Sequence, residues 1–265
     1  MQLTLPPKKK RSPLNIVKKW LIVLAVALLY VWTFTGIDID WGRAIERMAN
    51  NFTRVIPKLF NPEWGAIGKV WTAMVETLYI AFAGSLMAAI IAVPLGFLAA
   101  SNMTKSKVLT TIGKWILSAI RAFPDLILAI LFVVAVGPNP FAGVLAIAIG
   151  STGMLGKLYS EVLESIDFNI VEAMEASGAN KIQILFHGII PQIIPEFLSY
   201  AIYRFEIDVR ASTILGIVGA GGIGTLIQFA QMNRNWEEMG LILLVIIVVV
   251  TIIDFISSSI RKRIV

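Results

Sequence analysis

The chain has 265 residues, a net charge of +6, one histidine and no cysteine. This excludes disulfides, thiolate metal sites, cysteine nucleophiles and a histidine-based metal cluster. Apolar residues make up 57% and charged residues 15%, with a mean hydropathy of +0.79, whereas a soluble domain is about a quarter charged. The pattern predicts an all-α polytopic membrane protein of about six transmembrane helices.

The basic residues gather at the ends of apolar runs. Lys8, Lys9, Lys10 and Arg11 form one cluster, and Arg261, Lys262 and Arg263 another. Basic residues beside spans set topology, so the charge calls for no nucleic-acid partner. Residues 1–16 read as a basic cytoplasmic tail and 17–36 as the first transmembrane helix. That helix ends in Tyr30, Val31, Trp32, Thr33 and Phe34 rather than in a small-residue cleavage site, which predicts an uncleaved span.

Residues 37–76 read as an external segment. Within it Trp41, Ile45, Met48, Phe52, Val55, Ile56 and Leu59 recur at three- and four-residue steps, one face of an amphipathic helix. Two roles fit: lying along the membrane interface, or docking an external partner. The further spans are expected over Thr77 to Ala100, kinked at Pro94, then Ile116 to Val136, Phe141 to Leu158, Gly188 to Leu215 and Met239 to Ile260. Six spans put both basic termini on the cytoplasmic side, with Lys105, Lys107 and Lys114. Arg43, Arg47, Arg54, Lys58 and Lys69 then fall outside, against the usual bias.

Between the fourth and fifth spans, Asn169 and Glu172 have the spacing of a capping box, and Gly178 stands where a helix would end in a left-handed turn. The sequence predicts two short helices broken at Gly178, with Pro191 at the start of the fifth span. Glu172, Ala173, Gly178 and Pro191 resemble the cytoplasmic signature of the ATP-binding cassette (ABC) importer permeases: Glu-Ala-Ala, three residues, Gly, nine residues, an apolar residue, any residue, Leu, Pro. Met174 replaces the second Ala, Gly188 the apolar residue and Ile190 the Leu.

The resemblance implies a type I, methionine/phosphonate-like permease core over 77–265 with a coupling loop at 159–190. Glu172, Ala173, Ala176, Gly178, Ala179, Gln183 and Pro191 would serve coupling to an ATPase, centred on Ala176 to Gln183. Tyr203 to Gly216, Gly137-Pro138 with Pro140 to Ala146, and Leu155 to Leu158 are similar to the phosphonate-type permeases. Methionine-type permeases share the loop and the glycine-rich segment and remain the alternative. The partners implied are an ABC ATPase dimer, a periplasmic or surface substrate-binding protein, a second permease copy and membrane lipid. The localisation implied is the bacterial inner membrane, multi-pass.

Ionisable residues within a span face the bundle interior or a cavity. The fifth span carries Arg204, Glu206, Asp208 and Arg210, so Arg204–Asp208 and Glu206–Arg210 can pair at four-residue spacing, on faces about 200° apart. Arg121 and Asp125 have the same spacing around Pro124. These groups either fix helix packing or gate and line an anion pathway. For a phosphorus oxyanion the donor candidates are Arg204, Arg210 and Arg121, with the hydroxyls of Ser151, Thr152, Ser212 and Thr213.

Gly219-Ala220-Gly221-Gly222-Ile223-Gly224 fits G-x-G-x-x-G but lacks the βαβ setting of a dinucleotide site. Gly221 and Gly222 instead mark an irregular break that would shape an outer gate. There is no Walker A sequence, so the chain is not expected to be an enzyme; a separate ATPase would supply the energy, and no cofactor is expected. An ion-coupled secondary transporter would fit the membrane charges but not the loop. An intramembrane enzyme would need more than His187 offers.

Overall fold

The computed structural model describes residues 13–36, 40–104 and 106–264. The Lys8 to Arg11 cluster and Lys105 lie outside the described residues. Among those described, every element is helical. Five helices are long and apolar enough to cross a membrane, or six if one bent pair forms a single span.

The chain divides into two units, Met1–Arg54 and Val55–Val265. In the first, α1 (Pro13–Thr35) is followed by α2 (Trp41–Leu59), which continues into the second. The hydroxyl of Thr33 donates to the carbonyl of Leu29 at 2.7 Å, which satisfies it inside an apolar run.

The second unit holds the core. A short 3₁₀ turn (Trp64–Ala66) leads into α3 (Ile67–Ala99). This helix begins ten residues before the expected Thr77, because Lys69 and Glu76 lie on it rather than outside it. Lys69 pairs with Glu238 at 2.9 Å. Pro94 stays inside the helix.

The expected third span is not one helix. It is α4 (Lys107–Ala122) and α5 (Asp125–Val136), which meet at 84°. Pro124 lacks the N–H a continuing helix needs and pushes the preceding residue towards extended backbone. Phe123 is extended accordingly, at φ −89°, ψ 123°.

Helix α6 (Pro140–Ser165) starts at the Asn139 cap, whose side chain accepts from the Ala142 N–H at 3.1 Å. It is the central helix and the most buried of the candidate spans. Small residues let membrane helices approach closely. Gly84 of α3 shows how closely, since a Cβ there would sit 2.7 Å from Ile147 of α6.

After the short α7 (Phe168–Ala176), a turn of α8 (Lys181–Gln183) runs through a π-helical stretch (Ile184–Ile189) into α9 (Ile190–Leu215). The expected second short helix is therefore the lower end of the fifth span. A 3₁₀ turn (Gly216–Val218) and a glycine break lead to α10 (Ile223–Met232), about 15 Å long at 1.5 Å per residue and too short to span a bilayer. Helix α11 (Trp236–Ile264) closes the bundle against α3 and α10 through Val70, Met74, Ile223, Leu226, Leu241 and Ile242.

Candidate functional site

Two charge clusters sit on α9. The first joins four helices around a fully buried carboxylate. Asp208 has no exposed surface. Its Oδ1 lies 2.9 Å from Arg204 Nε, Ser85 Oγ of α3 donates to its Oδ2 at 2.6 Å, and Ser151 Oγ of α6 lies 2.8 Å from both oxygens. Arg204 Nε also donates to Ser151 Oγ at 2.8 Å. Its Nη2 reaches Asp125 Oδ2, at the head of α5, at 3.4 Å.

This arrangement decides what Arg204 can do. One guanidinium faces two carboxylates, and a buried charge needs such partners. Its Nε–H is shared by Ser151 and Asp208, Nη1 donates to Met154 Sδ at 3.2 Å and Nη2 reaches Asp125, so in this conformation two carboxylates already neutralise it. The pair with Asp125 is the longer one, and the Asp125 side chain is 34% exposed. It is thus the outermost link of the cluster.

The second cluster lies towards α11. Glu206 is buried and pairs with Arg210 along α9 and with Arg261 Nη2 at 3.3 Å. Arg261 lies over the Tyr203 ring, 5.2 Å from its centroid. Arg210 is half exposed and also stands 3.7 Å from Asp254.

The anion donors named from the sequence do not all converge. Ser151 joins Arg204, but the hydroxyls of Thr152, Ser212 and Thr213 donate to the carbonyls of Ala148, Asp208 and Arg210 on their own helices. Arg121 is exposed at the end of α4. Arg121 and Asp125 do not share a helix face, because the break at Pro124 separates them, and Asp125 turns to Arg204 instead.

The glycine break is irregular backbone. Gly219, Gly221 and Gly222 have φ of 89°, 81° and 74°, a region that glycine enters without steric cost. The break is pinned to α3, where Glu76 Oε1 accepts from the Gly222 N–H at 3.2 Å and Thr77 Oγ1 from the Ile223 N–H at 2.7 Å. Sequence reasoning missed Glu76, Thr77 and Ser85. The signals were an acid beside an apolar run and small polar residues within it.

The signature loop is ordered by caps. Asp167, not Asn169, caps α7: its Oδ1 accepts from the Asn169 N–H at 3.0 Å. Gly178 has φ 82° as expected, and the Ala179 N–H donates to Met174 O at 3.0 Å to close the turn. The capping box is Asn180–Gln183, with reciprocal bonds of 2.9 and 2.8 Å. Gln183 is therefore a cap as well as a surface residue.

Gln192 ties the loop to α9. It accepts from the Asp167 N–H at 2.9 Å and donates to Gly188 O at 2.7 Å. Below it, Val171, Ile184, Ile189 and Ile193 pack with Ala88, Ala92, Leu155 and Leu163 of α3 and α6. The faces of Glu172, Ala173, Ala176, Gly178, Gln183 and Pro191 are exposed, and Ala179 is half-buried. Ile182 and Phe186 add exposed apolar surface.

Residues 92–265 match the family described as "Binding-protein-dependent transport system inner membrane component". The chain belongs to this family. It is a permease component of an ABC importer. Among curated proteins it is 35% identical to the "Phosphite transport system permease protein PtxC" of Stutzerimonas stutzeri, over 91% of this chain and 87% of that one. It is 37% identical to the "Phosphate-import permease protein PhnE" of Mycolicibacterium smegmatis, over 89% of this chain and 42% of that longer protein. Among solved structures it resembles one described as "Inward facing conformations of the MetNI methionine ABC transporter", with a TM-score of 0.66 and 21% identity over 77% of this chain and 99% of that one. That likeness speaks for the fold.

Proposed function

We propose that this permease carries a phosphorus oxyanion, of the phosphite, phosphonate or phosphate kind, into the cytoplasm. The observation that carries the substrate class is the pair of relatives named for phosphite and phosphate transport, each above 30% identity over about nine-tenths of this chain. A methionine-type substrate is the second reading, and it rests on 28% identity to the "Methionine import system permease protein MetP" of Bacillus subtilis over 61% of this chain.

The energy comes from a separate ABC ATPase dimer. Each ATPase needs a docking loop and this chain has one signature loop, so two permease copies form the channel. Both termini and the 159–190 loop face the cytoplasm, and the segment before α3 faces outside, where a substrate-binding protein delivers the anion.

The loop is suited to transmit force because it is capped at both turns and packed on the bundle through Val171, Ile184 and Ile189. Glu172, Ala173, Ala176, Gly178, Ala179 and Gln183 form the surface for the ATPase, and Pro191 begins the shaft formed by α9. When the ATPases close on ATP, the loops move and α9 moves with them.

The charge cluster acts as a gate rather than as a substrate cradle. Two carboxylates around one guanidinium leave a net negative site when ionised, which disfavours a bound anion. Release of the exposed Asp125 from Arg204 would let α5 and α9 separate while Asp208 keeps Arg204 neutralised. Glu206 and Arg210, with Thr213 on the next turn, hold the other side of α9, and Ser212 continues the Asp208 face. Thr152 lies beside Ser151, Arg121 ends the helix before the bend, and Gly221 and Gly222 give the outer break its shape.

The substrate assignment is tested by phosphite and phosphate uptake in cells stripped of their other phosphorus importers. Uptake restored by the chain with its cognate ATPase and binding protein is the expected result. Restored methionine uptake alone would favour the second reading.

A further inference from the structure

Helix α2 has two stripes. At 100° per residue, Trp41, Ile45, Met48, Phe52, Val55, Ile56 and Leu59 fall within about 100° of one another. Arg43, Arg47, Arg54 and Lys58 fall within about 60°, centred roughly 140° from the apolar stripe. The only acid on the helix is Glu46.

At the C-terminal end of α2 Val55, Ile56 and Leu59 are half-buried, with Leu59 against the core; from Trp41 to Phe52 the apolar stripe is open. No residue of α2 is fully buried, and Trp41, Ile45, Met48 and Phe52 are each more than half exposed. Arg43 pairs with Asp40 at 2.9 Å. Among the described residues, Arg47, Arg54 and Lys58 make no ion pair.

A span precedes α2 and another follows it. Helix α1 reaches Thr35 and α2 begins at Trp41; α2 ends at Leu59 and the next candidate span begins at Trp64. Both links are short, so both ends of α2 are leashed to the bilayer surface. A helix about 28 Å long at 1.5 Å per residue then has to run along that surface.

We propose that α2 is an anionic-phospholipid-binding helix. Its apolar stripe sinks into the acyl boundary and its basic stripe takes the phosphates of acidic headgroups. Large apolar side chains on one face and cations on the polar face are what an interfacial helix needs. Each cation near an acidic bilayer surface adds roughly fivefold to lipid affinity. Charge complementarity selects the lipid: a zwitterionic surface offers phosphates already balanced by their own cations and no net negative charge to Arg47, Arg54 and Lys58. The basic excess of this segment then answers to the lipid it binds and not to the side of the membrane it occupies.

The chain has no cysteine, so a single introduced thiol can be spin-labelled without background. The full chain carrying Met48→Cys or Asn50→Cys is placed in nanodiscs of phosphatidylglycerol with phosphatidylcholine, or of phosphatidylcholine alone. Collision with oxygen and with a nickel chelate reports whether each label lies in lipid or in water. With phosphatidylglycerol present, the Met48→Cys label is expected to meet oxygen and not nickel, and the Asn50→Cys label the reverse. High salt, or Arg47→Gln with Arg54→Gln and Lys58→Gln, is expected to raise nickel access at Met48→Cys tenfold or more. Identical behaviour in the two lipids, unmoved by salt or by the triple variant, would overturn the anionic-lipid assignment. A Met48→Cys label shielded from both reagents would overturn it in favour of an acidic protein partner.

Discussion

A Cβ placed on Gly188 would lie 3.0 Å from Met174 Sδ. Both residues depart from the permease signature, Met for a small residue and Gly for an apolar one, and they meet. The long thioether of α7 fills the notch left by the glycine at the π-helical start of α9. A pair of exchanges that looks like erosion of the motif in sequence is a packing swap in space.

This contact predicts a coupled double mutant. Gly188→Leu forces Met174 out and should cost about 1–3 kcal/mol by overpacking, lowering both thermal stability and ATPase coupling. Adding Met174→Ala opens the space again and should recover most of the loss. Thermal unfolding of the four proteins in detergent measures the cycle. Simple additivity would deny the swap.

The buried cluster predicts unequal carboxylates. Asp208→Ala strips the closest counter-charge from buried Arg204 and should cost roughly 3–5 kcal/mol, visible as a large drop in Tm or in yield. Asp125→Asn removes the outer link only and should cost under about 1 kcal/mol, while raising ATP hydrolysis in the absence of substrate if the link is a latch. The opposite ranking of the two variants would mean that Asp125, not Asp208, anchors α9.

At Gly222 the φ of 74° excludes a side chain on backbone grounds, and a Cβ would stand 2.5 Å from Thr77 Oγ1. Gly222→Ala is expected to destabilise by roughly 1–3 kcal/mol and to abolish uptake. Gly178 offers the contrast: φ is 82° but nothing lies within 4 Å of a Cβ. Gly178→Ala should cost roughly 1–2 kcal/mol locally and leave the Tm of the bundle unchanged. ATPase affinity should fall, and a pull-down of the ATPase at increasing concentration reads it.

The spans were legible because apolar runs of membrane length stand out in a chain with 15% charged residues. The turn at Gly178 was legible for a local reason, since a glycine after a helical stretch needs no tertiary information. The bend between α4 and α5 was hidden because Ile116 to Val136 is apolar on both sides of Pro124, and hydropathy does not register a missing N–H. The cap at Asp167 was hidden because Asn169 and Glu172 offer a competing box two residues later. The true start of α3 was hidden because Glu76 is acidic and reads as external, whereas its carboxylate accepts from the Gly222 N–H across 146 residues of chain.

The charge pairs within α9 were legible at four-residue spacing. Their completion by Ser85, Ser151 and Asp125 was not, because those contacts join helices far apart in sequence. Spacing identified Arg204 as paired with Asp208; only the fold adds Asp125 as a second carboxylate beside the same guanidinium.

The central claim is that this chain is the permease of a phosphorus-oxyanion importer driven by a separate ATPase. The most direct test reconstitutes it in proteoliposomes with its cognate ATPase and binding protein and measures ATP hydrolysis with phosphite, a phosphonate, phosphate and methionine in turn. The account predicts stimulation by at least one of the three phosphorus oxyanions and none by methionine. Stimulation by methionine alone would contradict it.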